Sequence, residues 1–247
     1  MLIEETVRKM QDLKLFAMAQ AFVEKKDRPD HQDLSVQDFV SLIVDEEHIH
    51  RQHLKQTRML KQARLKISAA CLEDVDYRHP RGLIKSKIVQ LQNLNWLNDH
   101  HNLLISGPTG VGKTYLACAF GQWACRHGHS TLYFRSSRLF GDLLAAKGEG
   151  TYLNHLKKLG KAKLLIIDDF GLHAMSNSDR KDFMEVIEER YMTGSTVIAS
   201  QLPIKHWHEF ISDATMADAI LDRLFHVSHK FELKGASMRK TKEMSTV

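Results

Sequence analysis

"LLISGPTGVGKTYLACAF", Leu103 to Phe120, decides the fold of this chain. Leu103 to Ser106 form a short run of apolar and small residues that reads as a buried strand. Gly107, Gly110 and Gly112 follow where the chain must bend sharply without side-chain clashes, and an apolar helix starts near Lys113. The spacing Gly107-x4-Gly112-Lys113-Thr114 is that of a phosphate-binding loop, in which successive backbone N–H groups and the positive end of the new helix surround an anion. Gly107, Pro108, Thr109, Gly110, Val111 and Gly112 are expected to form the cradle. Lys113 reaches the β- and γ-phosphates on a long stem, and Thr114 offers a hard oxygen to Mg²⁺. A strand before and a helix after argue against an ordinary tight turn, so the loop is read as holding a nucleoside triphosphate.

From about Leu72 the pattern alternates strand and helix, which points to a parallel sheet covered by helices on both faces. Strands are expected at Asn102 to Ser106, Thr131 to Phe134, Leu164 to Asp168, Thr196 to Ser200 and Val227 to Leu233. The helices between them run from Lys113 to about His127, Ser137 to Ala146, Tyr152 to Leu159, Ser178 to Met192 and Met216 to Leu224. Open sheets of this kind bind ligands beyond the carboxyl ends of their strands, which is where Gly107 falls. "KLLIIDDFG" puts Asp168 and Asp169 at such an end, directly after a buried strand. Two adjacent acids there are costly unless a cation meets them. Mg²⁺ is the natural counter-charge: Asp168 orients it together with Thr114, and Asp169 positions or deprotonates the attacking water. A strand-end pair that caps the next turn is the structural alternative.

"TVIASQLP" ends another apolar strand in Ser200 and Gln201, where one polar group can hold the attacking water or sense the γ-phosphate; a plain polar strand end is the other reading. A whole strand-helix unit separates Lys113 from Asp168, an arrangement of water-activating ATPases, and no N-K-x-D guanine-reading motif is present. The expected cofactors are ATP and Mg²⁺.

Residues 1 to about 28 carry Ile3, Val7, Met10, Leu13, Ala17 and Ala21 at helical spacing, so one amphipathic helix is expected, ended by Pro29. Ser35 with Asp38 resembles a capping box opening a second helix that continues toward Lys66. The expected division is a helical domain over 1–70, in contact with DNA or a partner, and an ATPase domain over 71–247. Lys plus Arg outnumber Asp plus Glu by 35 to 30, a net charge of +5 that mildly favours a polyanionic partner. Arg51, Lys55, Arg58, Lys61 and Arg64 lie roughly along one helical stripe, followed by Lys66, with no acid among them. Charge alone leaves DNA contact and a solvated helix face both open.

There is no apolar run near eighteen residues, and "MLIEETVRKM" carries charges where a signal peptide needs an apolar stretch, so a cytoplasmic protein with no membrane contact is expected. Cys71, Cys118 and Cys125 have no C-x-x-C spacing and read as buried reduced thiols. Among the fifteen histidines, His48, His50 and His53 do not share one helical face, and His206 with His208 lacks a third ligand in sequence.

"GPTGVGKTYLA", "LLIIDDFG", "SQLPIKHWHE", "ADAILDRLFH" and "LKGASMRK" together resemble the IstB-like ATPases, AAA+ helper proteins encoded beside the transposase in certain bacterial insertion sequences. The resemblance runs from about residue 5 to 242, and more distantly the chain is similar to the DnaC and DnaI helicase loaders. It implies an AAA+ core that assembles as a homo-oligomer on double-stranded DNA and recruits and stimulates the transposase of the same element. By position it makes Arg223 the arginine finger that reaches a neighbour's γ-phosphate, worth roughly 10³ to 10⁵ in rate, and Arg239 the second sensor. It also favours DNA contact by the Arg51 to Lys66 stripe, with Arg135, Arg138 and Lys147 as further candidates. Two departures stand out. Asp169 occupies a position where most AAA+ proteins carry Glu, and the chain stops at Val247, too early for a full C-terminal helical lid. The alternatives are a helicase loader using ATP as a switch, and a static DNA-organising protein that binds ATP without hydrolysing it.

Overall fold

The computed structural model describes residues 2–25 and 34–238. The chain divides into two compact units, Met1–Arg58 and Met59–Val247. In the first lie α1 (Leu2–Asp12) and α2 (Phe16–Lys25), and then the start of a long helix, α3 (Val36–Ala63). The single helix expected up to residue 28 is broken. Lys14 takes a φ of +60°, its N–H bonds Gln11 O at 2.8 Å, and Leu15 N–H bonds Met10 O at 2.8 Å. This pair of bonds is a Schellman stop, which usually carries glycine and here carries a lysine that periodicity alone does not flag. Pro29 lies outside the described residues. Ser35 does open α3, its Oγ accepting from Asp38 N at 3.1 Å. The helix stops at Ala63 rather than reaching Lys66, because Arg64 turns left-handed at φ +52°.

Two short helices, α4 (Lys85–Leu91) and α5 (Asn95–Asn98), precede the sheet. The alternation then runs β1 (Asn102–Ser106), α6 (Lys113–Arg126), β2 (Thr131–Arg135), α7 (Ser136–Gly148), α8 (Tyr152–Lys161), β3 (Leu164–Phe170), α9 (Asn177–Arg190), β4 (Ser195–Ser200), α10 (Trp207–Ile211), α11 (Ala214–Phe225) and β5 (Ser228–Glu232). All strand pairs are parallel, in the order β2-β3-β4-β1-β5. β4 therefore separates β1 from β3, the two strands that carry the motifs.

The strands read as near-continuous apolar runs because both faces are covered. Leu103, Ile105, Ile166, Val197, Ala199 and Phe231 pack on α6 and the α4–α5 region. The alternate residues Leu104, Leu165, Ile167 and Ile198 pack on α7, α8, α9 and α11. Arg190, the last residue of α9, is 2% exposed and closes the far end of the sheet. Its guanidinium donates to Leu159 O, Ala162 O at 2.8 Å, Ser195 O at 2.5 Å and Thr196 Oγ1 at 3.1 Å. Burial lowers its pKa to about 9. Cys118 and Cys125 are buried free thiols on α6, whereas Cys71, expected to be buried too, is free but only half-buried because it lies in the loop region before α4; burial pushes Cys118 up to about 11.

Candidate nucleotide site

The loop after β1 has the backbone that the glycine spacing predicts. Gly110 and Gly112 take φ of +85° and +93°, and Gly112 caps α6. A Cβ on Gly112 would collide with the Arg81 guanidinium, and one on Gly107 with the Leu233 carbonyl. Glycine is thus required twice over, by conformation and by close approach. Arg81, which sequence reasoning missed, is 3% exposed. It donates to Val111 O and to Asp76 O, each at 2.8 Å, and so ties the loop to the segment before α4. Met238 N–H bonds Gly110 O at 3.0 Å, so the chain beyond β5 also returns to the loop. Arg239, the next residue, lies outside the described residues.

Lys113 Nζ donates to Gly107 O at 2.7 Å and Pro108 O at 2.8 Å, folded back across its own loop. Thr114 Oγ1 lies 2.9 Å from Asp168 Oδ2. The structure therefore brings the two halves of the expected site together, although the strands carrying them are not neighbours. Asp168 is 1% exposed, and its Oδ2 also accepts from the Tyr133 hydroxyl at 2.7 Å. Burial and the neighbouring Asp168 carboxylate push the Tyr133 phenol well above its usual range.

Asp169 has different surroundings. It takes a φ of +57° at an irregularity in the β3–β4 register, and β3 continues past it to Phe170. Its Oδ2 lies 3.7 Å from Arg135 Nε and 3.9 Å from Lys66 Nζ. A left-handed backbone admits Asp and Asn more cheaply than longer or branched residues, which gives a physical reason for the shorter acid at this position.

At the end of β4 the structure separates Ser200 from Gln201. The Ser200 hydroxyl is buried, donates to Phe170 O at 2.6 Å and accepts from Leu202 N at 3.0 Å. It is spent on joining β3 to the turn after β4. Gln201 Oε1 instead accepts from Thr109 Oγ1 at 2.7 Å and so reaches the loop. Sequence spacing did not distinguish the two.

Arg223, on α11, pairs with Glu188 at 2.6 Å, and its backbone carbonyl accepts from Asn102 Nδ2 at 3.4 Å. Asn102 begins β1 and the loop follows its end, so Arg223 and the loop lie at opposite ends of one strand. Of the basic stripe, Lys55, Arg58, Lys61 and Arg64 are exposed. Arg51 is also exposed but pairs with Glu47 at 2.7 Å. Arg138 pairs with Asp142 at 2.8 Å, and Lys147 with buried Asp182 at 2.5 Å.

Residues 8–246 match the family model described as IstB-like ATP binding protein. An insertion sequence ATP-binding protein of Sinorhizobium fredii is 42% identical over 97% of this chain and 98% of its own length. Another, from Pseudomonas fluorescens, is 42% identical over 82% of this chain and 88% of its own. The crystal structure of the DnaC helicase loader superimposes with a TM-score of 0.54 at 19% identity, over 67% of this chain and 97% of that one. That likeness is one of fold.

Proposed function

This chain belongs to the IstB-like ATP-binding proteins, and from that premise we propose that it is a magnesium-dependent ATPase. It assembles on double-stranded DNA and recruits the transposase encoded by the same element. The observation that carries the ATPase reading is the Thr114–Asp168 contact of 2.9 Å beside the Lys113 loop. A hydroxyl and a buried carboxylate in contact are hard oxygen donors of the type Mg²⁺ takes, and they fit that ion. Thr114 and Asp168 would hold Mg²⁺ there, and with ATP bound the ion would supply neutralisation of the triphosphate charge.

The chain's own groups do the rest. On ATP binding Lys113 exchanges the carbonyls of Gly107 and Pro108 for phosphate oxygens. Asp169 orients the attacking water, and Gln201, rather than Ser200, stands where the γ-phosphate end of the loop can be sensed. Arg223 completes the pocket of a neighbouring copy, since within one chain it sits at the wrong end of β1. Lys66 and Arg135 hold Asp169 in the resting state, and both are bases that a DNA phosphate attracts, which supports stimulation of hydrolysis by DNA. Lys55, Arg58, Lys61 and Arg64 supply further backbone contacts with no base reading, and the helical domain over 1–70 carries the DNA or partner contact. The transposase partner rests on the relatives, which are named for insertion sequences. A cytoplasmic place suits such a partner, and among the described residues no helix is long and apolar enough to cross a membrane.

Phosphate release by the purified chain with Mg²⁺, with and without duplex DNA, tests this reading. Turnover that rises with DNA is expected. Lys113→Ala should weaken ATP binding by at most about 3 kcal/mol while abolishing turnover, because the backbone cradle remains. ATP binding without any hydrolysis, with or without DNA, would point instead to a static DNA-organising protein. The helicase-loader alternative is tested by pull-down against a transposase and a replicative helicase, and retention of the helicase alone would decide for it.

A further inference from the structure

β2 offers the sheet a phenol where its neighbours offer aliphatic chains. Tyr133 pairs in register with Ile166, two residues before Asp168 on β3, and its ring belongs to the apolar core on the α6 side. The side chain is 9% exposed, and its hydroxyl ends 2.7 Å from Asp168 Oδ2. Thr114 reaches the same carboxylate from α6, at 2.9 Å to Oδ2 and 3.2 Å to Oδ1. Asp168 is thus gripped from two elements, and Oδ2 carries the stronger claim from both. A carboxylate whose one oxygen is held by buried donors has its rotamer fixed, and its other oxygen keeps lone pairs for an incoming hydrated cation.

We infer that Tyr133 is a positioning residue for the metal-orienting carboxylate, acting through Asp168 and not touching nucleotide. The inference rests on the ATPase reading. It assigns to β2, a strand with no recognised motif, part of the response to Mg²⁺. Lys113 bonds the carbonyls of Gly107 and Pro108, and Arg81 those of Val111 and Asp76, so affinity for metal-free ATP should not depend on Tyr133.

The test is ATP binding measured by calorimetry, first in EDTA and then over a Mg²⁺ series, for the wild type and Tyr133→Phe. Phe removes one oxygen and keeps the ring, and thermal unfolding confirms that the variant is folded. Expected are an unchanged affinity in EDTA and a Mg²⁺ half-saturation raised about tenfold, as for loss of one hydrogen bond to a charged group. A double-mutant cycle with Asp168→Asn separates positioning from packing. Tyr133→Phe should add nothing to the Mg²⁺ response once Asp168 is gone. A half-saturation equal to that of the wild type, an affinity that falls equally in EDTA, or an effect that persists beside Asp168→Asn overturns the inference alone. A wild type that binds no ATP in either buffer overturns the ATPase reading, and this with it.

Discussion

Asp168 and Asp169 are adjacent in sequence and are held by opposite chemistry. Hydroxyl donors on Thr114 and Tyr133 grip the first, deep in the sheet, while two half-exposed cations flank the second. The pairs around Asp169 are long and partly solvated, so each is worth no more than about 1 kcal/mol. Replacing Lys66 and Arg135 together by Ala should therefore raise turnover without DNA by no more than about thirtyfold and reduce the proposed stimulation by duplex DNA. Steady-state phosphate release with and without DNA reads both effects. A double variant with unchanged basal rate and unchanged stimulation would show that these bases do not restrain the acid. The same scale explains Ser200: a hydroxyl at the right strand end is captured by the Phe170 carbonyl before any ligand can use it.

At the scale of elements, the helices of the first unit are joined by a buried carboxylate. Glu47 on α3 is 6% exposed and accepts from Ala17 N at 2.9 Å and Met18 N at 3.1 Å, amides of the first turn of α2. Burial works to raise its pKa, but the bond from Arg51 and the two amides outweigh it, so the carboxyl lies below its ordinary 4.5. A depressed carboxyl contributes stability that is present above its unfolded-state value and is lost as pH falls through the folded-state value. Glu47→Gln should thus destabilise the protein at neutral pH by about 1–3 kcal/mol, with the gap from wild type closing on acidification below pH 4.5. Urea unfolding followed at several pH values measures the gap; one that stays constant down to pH about 3 would remove the charge from the explanation. The break between α1 and α2 belongs to this scale too. Lys14 in a left-handed turn costs about 1 kcal/mol relative to glycine, so Lys14→Gly should raise the unfolding midpoint, as urea unfolding of the variant reads directly.

For the whole molecule, the decisive separation is between the loop at one end of β1 and Arg223 at the other. If neighbours complete each other's pockets, Arg223→Ala should bind ATP as the wild type does yet fail to turn it over. Mixed with Asp169→Ala, which keeps its own arginine, it should recover part of the activity, because an intact loop can then meet an intact guanidinium across the interface. Activity of each variant alone and of the mixture, with sizing in the presence of ATP, gives the answer; full turnover by Arg223→Ala alone removes the trans assignment. The sequence by itself determined the strand and helix alternation, the parallel sheet, the phosphate loop and its paired acids. Those features are local, written in runs of apolar residues and in glycines whose spacing the backbone dictates. It missed the break at Lys14, since periodicity continues across a left-handed residue, and did not see α4, α5 or α10, which are too short to show a period. Only the tertiary structure decided that Tyr133 meets Asp168, that Lys66 and Arg135 flank Asp169, that Arg81 pins the loop, and that the Gln201 side chain rather than the Ser200 hydroxyl reaches it, Ser200 touching the loop only through its carbonyl. Each of these joins residues from different elements, and the packing of a sheet brings such partners together with no trace in their spacing along the chain.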